Sequence, residues 1–211
     1  MMTLLYKELR LCAHPTSMVF AFLGCLVLVP AYPYSVIFLF GCLAPYITFV
    51  NARETNDAWY TATLPVTKRE SVRAKCLLIV SLQLFQLLFS IPFTLLRRAL
   101  GVPNNPVGLD ATLAWYGFGL MIYAAFDLAF FPAFYKSGYK AGKAFIVASV
   151  PLLLGMIAAE STAHIPALAW LDSDAHWRRQ LPVLAAGMAC YAALLPLACR
   201  ISEGRFERVD L

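Results

Sequence analysis

Long uncharged runs alternate with short charged ones along the chain. Residues 11–50 contain no Lys, Arg, Asp or Glu, and further apolar runs occupy 76–96, 111–135 with one acid inside it, 144–159 and 181–199. Crossing a hydrocarbon core of about 30 Å at 1.5 Å per residue takes about 20 apolar residues, so each of the later runs predicts one span. The first run has room for two, and Pro30 and Pro33 in VPAYPYS place a tight turn near its middle. The predicted fold is all-α: a polytopic membrane protein with six transmembrane helices at 15–31, 33–50, 72–96, 111–135, 144–160 and 181–199. The first two are short, and one long, bent, partly re-entrant segment over 15–50 is the alternative.

The polar segments between the runs carry their own helix signals. In residues 1–14, Met2, Leu5, Leu9 and Cys12 share one helical face while Lys7 and Arg10 lie elsewhere, the pattern of a helix lying at the membrane surface. His14-Pro15 ends it. Residues 51–70, NARETNDAWYTATLPVTKRE, predict a short helix that Asn51 and Glu54 start with a capping-box-like pair and that Leu64-Pro65 stops. Thr67 and Glu70 then form a stricter capping box that opens the third span. Trp59 and Tyr60 suit the headgroup boundary, with Arg53, Glu54, Asp57, Lys68 and Arg69 in water. Residues 161–180 include IPALAWL, short and apolar enough for an interfacial or re-entrant segment, and 200–211 form a tail.

Composition agrees with a membrane class: 61% of residues are apolar and 14% charged, against roughly a quarter charged in soluble domains. With six spans threaded, thirteen of the 17 basic residues fall on the side of both termini, leaving Arg97, Arg98, Arg178 and Arg179 on the other. The positive-inside rule makes the termini and the 51–70 loop cytoplasmic. The net charge of +5 thus reports topology and contact with anionic lipid, and no basic stripe interleaved with aromatics points to nucleic acid. Lys7 and Arg10 before an apolar run resemble a secretory leader, but no small-x-small cleavage pattern follows, so a retained first helix is expected. The six cysteines have no paired spacing and read as small hydrophobes.

Candidate chemistry is sparse. Asp127 is the one acid well inside a span, a functional suspect by its cost in lipid, or else the partner of Lys75, Lys136 or Lys140. Gln83 and Gln86, with Ser81 and Ser90, give the third span a polar side that suits a helix contact or a substrate path. Lys136, Lys140 and Lys143 in FYKSGYKAGK read plainly as contacts to lipid headgroups. His164 and His176, with Asp172 and Asp174 between them, match no compact zinc spacing. No paired acids, Ser-His arrangement or His-Glu-x-x-His sits at bilayer depth, and no Gly-x-x-x-x-Gly-Lys-Ser/Thr loop is present to cradle a nucleotide.

The order of elements resembles the ABC-2 type permease family, the membrane subunits of bacterial ATP-binding cassette exporters: an N-terminal helix ending LYKELRL, two spans, the loop ETNDAWYTATLPVTKRESVRAK, then four spans. Glu54 and Asn56, then Leu64-Pro65-Val66, Thr67, the basic pair Lys68 and Arg69, Glu70 and Ala74-Lys75 are similar to the signature region of small permeases without an ATPase domain. The resemblance implies that 51–64 is a coupling helix seated on a separate ATPase subunit, with Asn51, Arg53, Glu54, Asn56, Asp57, Trp59, Tyr60, Leu64 and Pro65 as its contact residues. It also implies a bacterial plasma-membrane location, a second permease copy or paralogue, ATP and Mg held by the partner and not by this chain, and export of a peptide, antibiotic or other amphipathic molecule. The family further suggests Lys136, Lys140 and Lys143 as a secondary contact with the ATPase subunit. A non-transporting membrane scaffold, accessory or channel-like subunit is the alternative.

Overall fold

The computed structural model describes residues 2–208, apart from the side chains of Met2 and Ala58. Among these residues every regular element is helical. Helix α1 runs Met2–Lys7 and widens into π-type turns over Glu8–Cys12. Helix α2 covers Pro15–Phe22 and tightens to 3-10 geometry over Leu23–Leu28. The His14 ring nitrogen caps its first turn by accepting from the Thr16 N–H at 3.1 Å, and Pro15 takes the first helical position, where its missing N–H costs nothing. The two helices meet at a 98° bend, so α1 lies nearly perpendicular to α2.

The remaining elements are α3 (Val36–Glu54), the six-residue α4 (Asp57–Ala62), α5 (Lys68–Ala99), α6 (Leu113–Lys136), α7 (Ala141–Ser161) and α8 (Trp177–Glu207). Three 3-10 turns, Thr162–His164, Pro166–Leu171 and Asp174–His176, join α7 to α8. Among the described residues five helices are long and apolar enough to cross a membrane: α3, α5, α6, and α7 and α8 with their adjoining turns. The α2 segment is the sixth candidate only when joined to α1 across the bend. At 1.5 and 2.0 Å per residue its two parts reach about 24 Å, short of a core of about 30 Å. Helix α6 is the hub, 67% of its apolar window being buried, and it packs most extensively on α8 and α7. Phe49 of α3 inserts among Phe130, Phe131 and Phe134 of α6, while Phe38 packs on Trp115 and Tyr123.

Two expected boundaries move. Asn51 does not start a helix: α3 continues through it to Glu54. Its side chain instead donates to the Cys12 carbonyl at 3.1 Å, satisfying an open acceptor at the end of α1. The break comes at Thr55 and Asn56, the latter at φ 51°, a left-handed turn that Asn tolerates better than most residues. The second start is as predicted, since Thr67 and Glu70 close a complete capping box at the head of α5. The tail expected from residue 200 is the last part of α8, which runs to Glu207, and residues 209–211 lie outside the described residues.

Candidate functional site

Helix α1, α4 and the last turns of α8 gather at the N-terminal end of α5, where four charges meet. The Asp57 carboxylate at the first position of α4 lies 2.5 Å from Lys7 Nζ and 2.5 Å from Lys75 Nζ. Glu8 receives the same two ammonium groups at 2.9 and 2.8 Å. Lys7 also donates to Thr61 Oγ1 at 2.7 Å, and Thr61 donates to Asp57 at 3.5 Å. Two lysines and two carboxylates sum to zero charge. Neutrality matters, because Glu8 is fully buried and Asp57 is 3% exposed, and an uncompensated charge there is penalised by several kcal/mol, about 3–5 when one partner is removed. Burial pushes the Asp57 carboxyl up, but the Lys75 and Lys7 charges outweigh it and the net direction is down. For Lys7, burial pulls down while Asp57 and Glu8 push up, and the net direction is up. Asp57 and Lys7 are therefore held in their charged forms. Glu8, Cys12 and Asp57 also bring three metal-type donors within 4.8 Å of one another. The two ammonium groups already provide the positive charge that such a donor set would otherwise attract.

The quartet decides which way α4 faces. Asp57 and Thr61, one turn apart, form its buried back, bonded to α1 and α5, and so Asp57 is not in water as the sequence pattern predicts. Trp59, 72% exposed, and Tyr60, 46% exposed, stand on the outside. Arg53, Glu54 and Asn56 are exposed beside them, Leu64 is half-buried and Pro65 exposed. A cavity of about 310 Å³ separates α4 from the turn after α6, lined by Arg53, Asn56, Trp59, Phe134, Gly138 and Tyr139 among others. A hollow of about 560 Å³ on the other flank is lined by Leu11, Thr55, Asn56, Asp57, Trp59 and Tyr60. Trp59 is a ridge between two recesses.

The far wall of the smaller recess is itself constrained. Gly138 and Tyr139 have φ of 67° and 64°, a conformation disfavoured for a bulky residue. Tyr139 is kept in it by its N–H bond to the Phe134 carbonyl at 3.2 Å and by ring contacts with Phe134, Tyr135 and Phe206. Lys136, Lys140 and Lys143 around this turn are exposed, with no carboxylate partner among the described residues. Two further ion pairs, Arg69 with Glu207 at 2.6 Å and Arg73 with Glu203 at 2.7 Å, tie α5 to α8 at the same face.

The intramembrane candidates are packed between helices. Asp127 is fully buried and accepts from Gln83 Nε2 at 3.0 Å, and Gln83 Oε1 accepts from the Tyr191 hydroxyl at 2.8 Å. Its expected partner Lys75 is committed to Glu8 and Asp57, so Asp127 is held by an amide and not by a cation. Gln86 donates to the carbonyls of Phe20 at 2.8 Å and Ile37 at 3.1 Å and accepts from the Tyr123 hydroxyl. Both glutamines thus join α5 to its neighbours. At the opposite end Arg97 pairs with Asp110, and Glu160 receives the N–H groups of Ser35 at 3.0 Å and Leu109 at 2.8 Å.

Sequence reasoning did not single out Glu8, Thr61 or Glu160. Glu8 had a signal: it stands four residues from both Leu4 and Cys12, an acid on the inward face of a short helix. Glu160 had none, since its partners are backbone N–H groups far away in sequence.

A family model described as ABC-2 family transporter protein matches residues 3–176, which covers α1 to α7 and stops at the start of α8. No curated protein and no solved structure matches the chain.

Proposed function

The chain belongs to the ABC-2 family of transporter proteins, and from that premise we propose that it is the permease subunit of an ABC exporter that docks a separate ATPase subunit through α4. The chain is a multi-pass membrane component of a transport system, a class that normally works with an ATPase partner, and its sequence offers no phosphate-binding loop of its own. The observation that carries the finer reading is the two-sidedness of α4. Its outer surface presents Trp59 and Tyr60, residue types that dominate binding energy at protein interfaces. Its inner surface is pinned by Asp57 to Lys7 on α1 and Lys75 on α5.

A push on the outer face has a route into the bundle. Separating Asp57 from Lys75 would strand charges in a buried site, so α4, α1 and the head of α5 move as a unit. Helix α5 then carries the motion through Gln83 to α6 and α8, and through Gln86 to α2 and α3. In this account both termini face the cytoplasm of a bacterium, ATP and Mg sit on the partner, and two permease copies or paralogues enclose a path for an amphipathic substrate. Lys136, Lys140 and Lys143 flank the recess beside Trp59 and give the ATPase subunit, or anionic headgroups, a second contact. Arg53, Glu54 and Asn56 belong to the outer contact, while Asn51 and Asp57 act from behind it.

The test is co-expression with the ATPase encoded by a neighbouring reading frame. Trp59→Ala with Tyr60→Ala should leave a folded permease that no longer co-purifies with that subunit. Stoichiometric retention by the double variant would overturn docking through α4 and leave that helix a connector.

A further inference from the structure

Helices α5 and α8 run antiparallel, and at the terminus-bearing end they are joined in register. Arg69 meets Glu207, Arg73 meets Glu203 and Gln83 meets Tyr191. Continued further, that register would bring Leu87 of α5 to Gly187 of α8. The structure does otherwise. Gly187 packs backbone to backbone on Gly117 of α6, and a Cβ on Gly117 would stand 2.6 Å from the Val183 carbonyl oxygen, so α8 is drawn onto α6. At the same height a Cβ on Gly24 would stand 2.6 Å from the Gln86 carbonyl oxygen, so α5 is drawn the other way, onto the 3-10 segment after α2. The two helices part company.

The divergence leaves a crevice of about 430 Å³, open to the side and walled by α5, α6 and Leu184 of α8. Its α5 wall extends from Leu84 to Arg98, about 21 Å at 1.5 Å per residue. Leu84 lies at the middle of the 32-residue α5, and Arg98 one residue from its end. With α5 centred on a core of about 30 Å, the crevice spans the roughly 15 Å of one leaflet's acyl region and about 6 Å of the headgroup region beyond it. Leu88, Ile91 and Leu95 line it and are exposed, and their surroundings are almost wholly apolar. The polar group at its mouth is the Arg98 guanidinium, 45% exposed, which uses one nitrogen on Asp174 and keeps further N–H groups to offer.

We propose that this crevice is a binding site for one phospholipid, its acyl chain between α5 and α6 and its anionic headgroup on Arg98. An apolar slot one leaflet deep with a cation at the headgroup end fits that chemistry and no other single small ligand class so well. Arg98 lies at the end of α5 opposite α4, so the site is separate from the proposed ATPase contact.

The experiment is native mass spectrometry of the full-length protein released from vesicles of equal phosphatidylglycerol and phosphatidylcholine. The wild type should retain one phospholipid per chain, with about a fivefold preference for phosphatidylglycerol, the scale of one basic side chain near an anionic headgroup. Ile91→Trp, which fills the slot, should abolish retention. Leu153→Trp on α7, exposed and outside the crevice, should not. Arg98→Gln should keep the lipid and lose the headgroup preference, a readout that requires no bulky residue to be accommodated. The proposal is overturned if Ile91→Trp retains lipid as Leu153→Trp does, or if Arg98→Gln leaves the preference intact. It is equally overturned if Ile91→Trp dissociates an oligomer without changing lipid content, which would make the crevice a contact between two copies.

Discussion

The two ends of α5 solve the same electrostatic problem to different effect. At the α4 end, Lys75 is buried among Glu8, Asp57 and Lys7, and the charges belong to three separate elements, two of them short helices outside the bundle. At the other end, Arg97 is buried against Asp110 and the Pro103 carbonyl, and its partners belong to the connection that leads directly into α6. Glu160 closes that end by taking N–H groups from the start of α3 and the same connection. One end uses buried charge to mount an element with aromatic residues facing out, and the other uses it to fold loops down onto the bundle. Burial of ions alone does not distinguish the ends; what the ions fasten does.

That difference can be broken from either side. Asp57→Asn leaves the quartet with a net positive charge and Arg97→Met leaves Asp110 without its ammonium-like partner, so each should cost about 3–5 kcal/mol of stability, read as a lowered melting temperature in detergent. Only Asp57→Asn should also release the ATPase subunit. If Arg97→Met released it equally, the two ends would be functionally equivalent. Trp59→Ala should leave the melting temperature unchanged, because the ring is largely exposed, and weaken ATPase-subunit binding by about 2 kcal/mol, roughly 30-fold. Within the span, Gln83→Leu removes the one side-chain hydrogen-bond donor that Asp127 has among the described residues and should cost about 1–3 kcal/mol. Asp127→Asn keeps an acceptor for Gln83 and should stay within about 1 kcal/mol of wild type, in the same melting assay.

The smallest expected effect is that of pH. The Asp57 carboxyl is lowered below 3.8 in the folded protein, so its contribution is complete above 3.8 and lost as pH falls through the lower folded value. Lys7 is raised above 10.5, so its contribution is complete below 10.5 and lost as pH rises through the higher folded value. Hydrogen exchange at the α4 backbone amides, corrected for its intrinsic pH dependence, should therefore give the same protection from pH 5 to 9. A step inside that window would mean that a quartet member titrates there.

The apolar runs made five long helices legible, because their lengths are set by the bilayer and their interiors lack competing polar signals. The Thr67 and Glu70 cap was legible because its two partners are three residues apart and act locally. Asn51 misled for a related reason: the same Asn-x-x-Glu spacing describes a cap, but an acceptor for its amide, the Cys12 carbonyl at the end of α1, was available from a distant part of the chain. The short α2 was hard to read, since hydropathy reports composition and not the tightening that shortens its reach. Asp57 looked like one more charge in a wet loop. Its burial depends on Lys75 eighteen residues on and Lys7 fifty earlier arriving together, which no local pattern encodes.

Photo-crosslinking from the two ends of α5 separates docking through α4 from docking elsewhere. A benzophenone amino acid is placed at Trp59 or at Trp177, exposed tryptophans at the α4 end and the opposite end, and the permease is irradiated together with its ATPase subunit. A crosslink to the ATPase subunit is expected from position 59 and none from position 177. No crosslink from 59, or an equal one from 177, would mean that the ATPase subunit does not dock on α4.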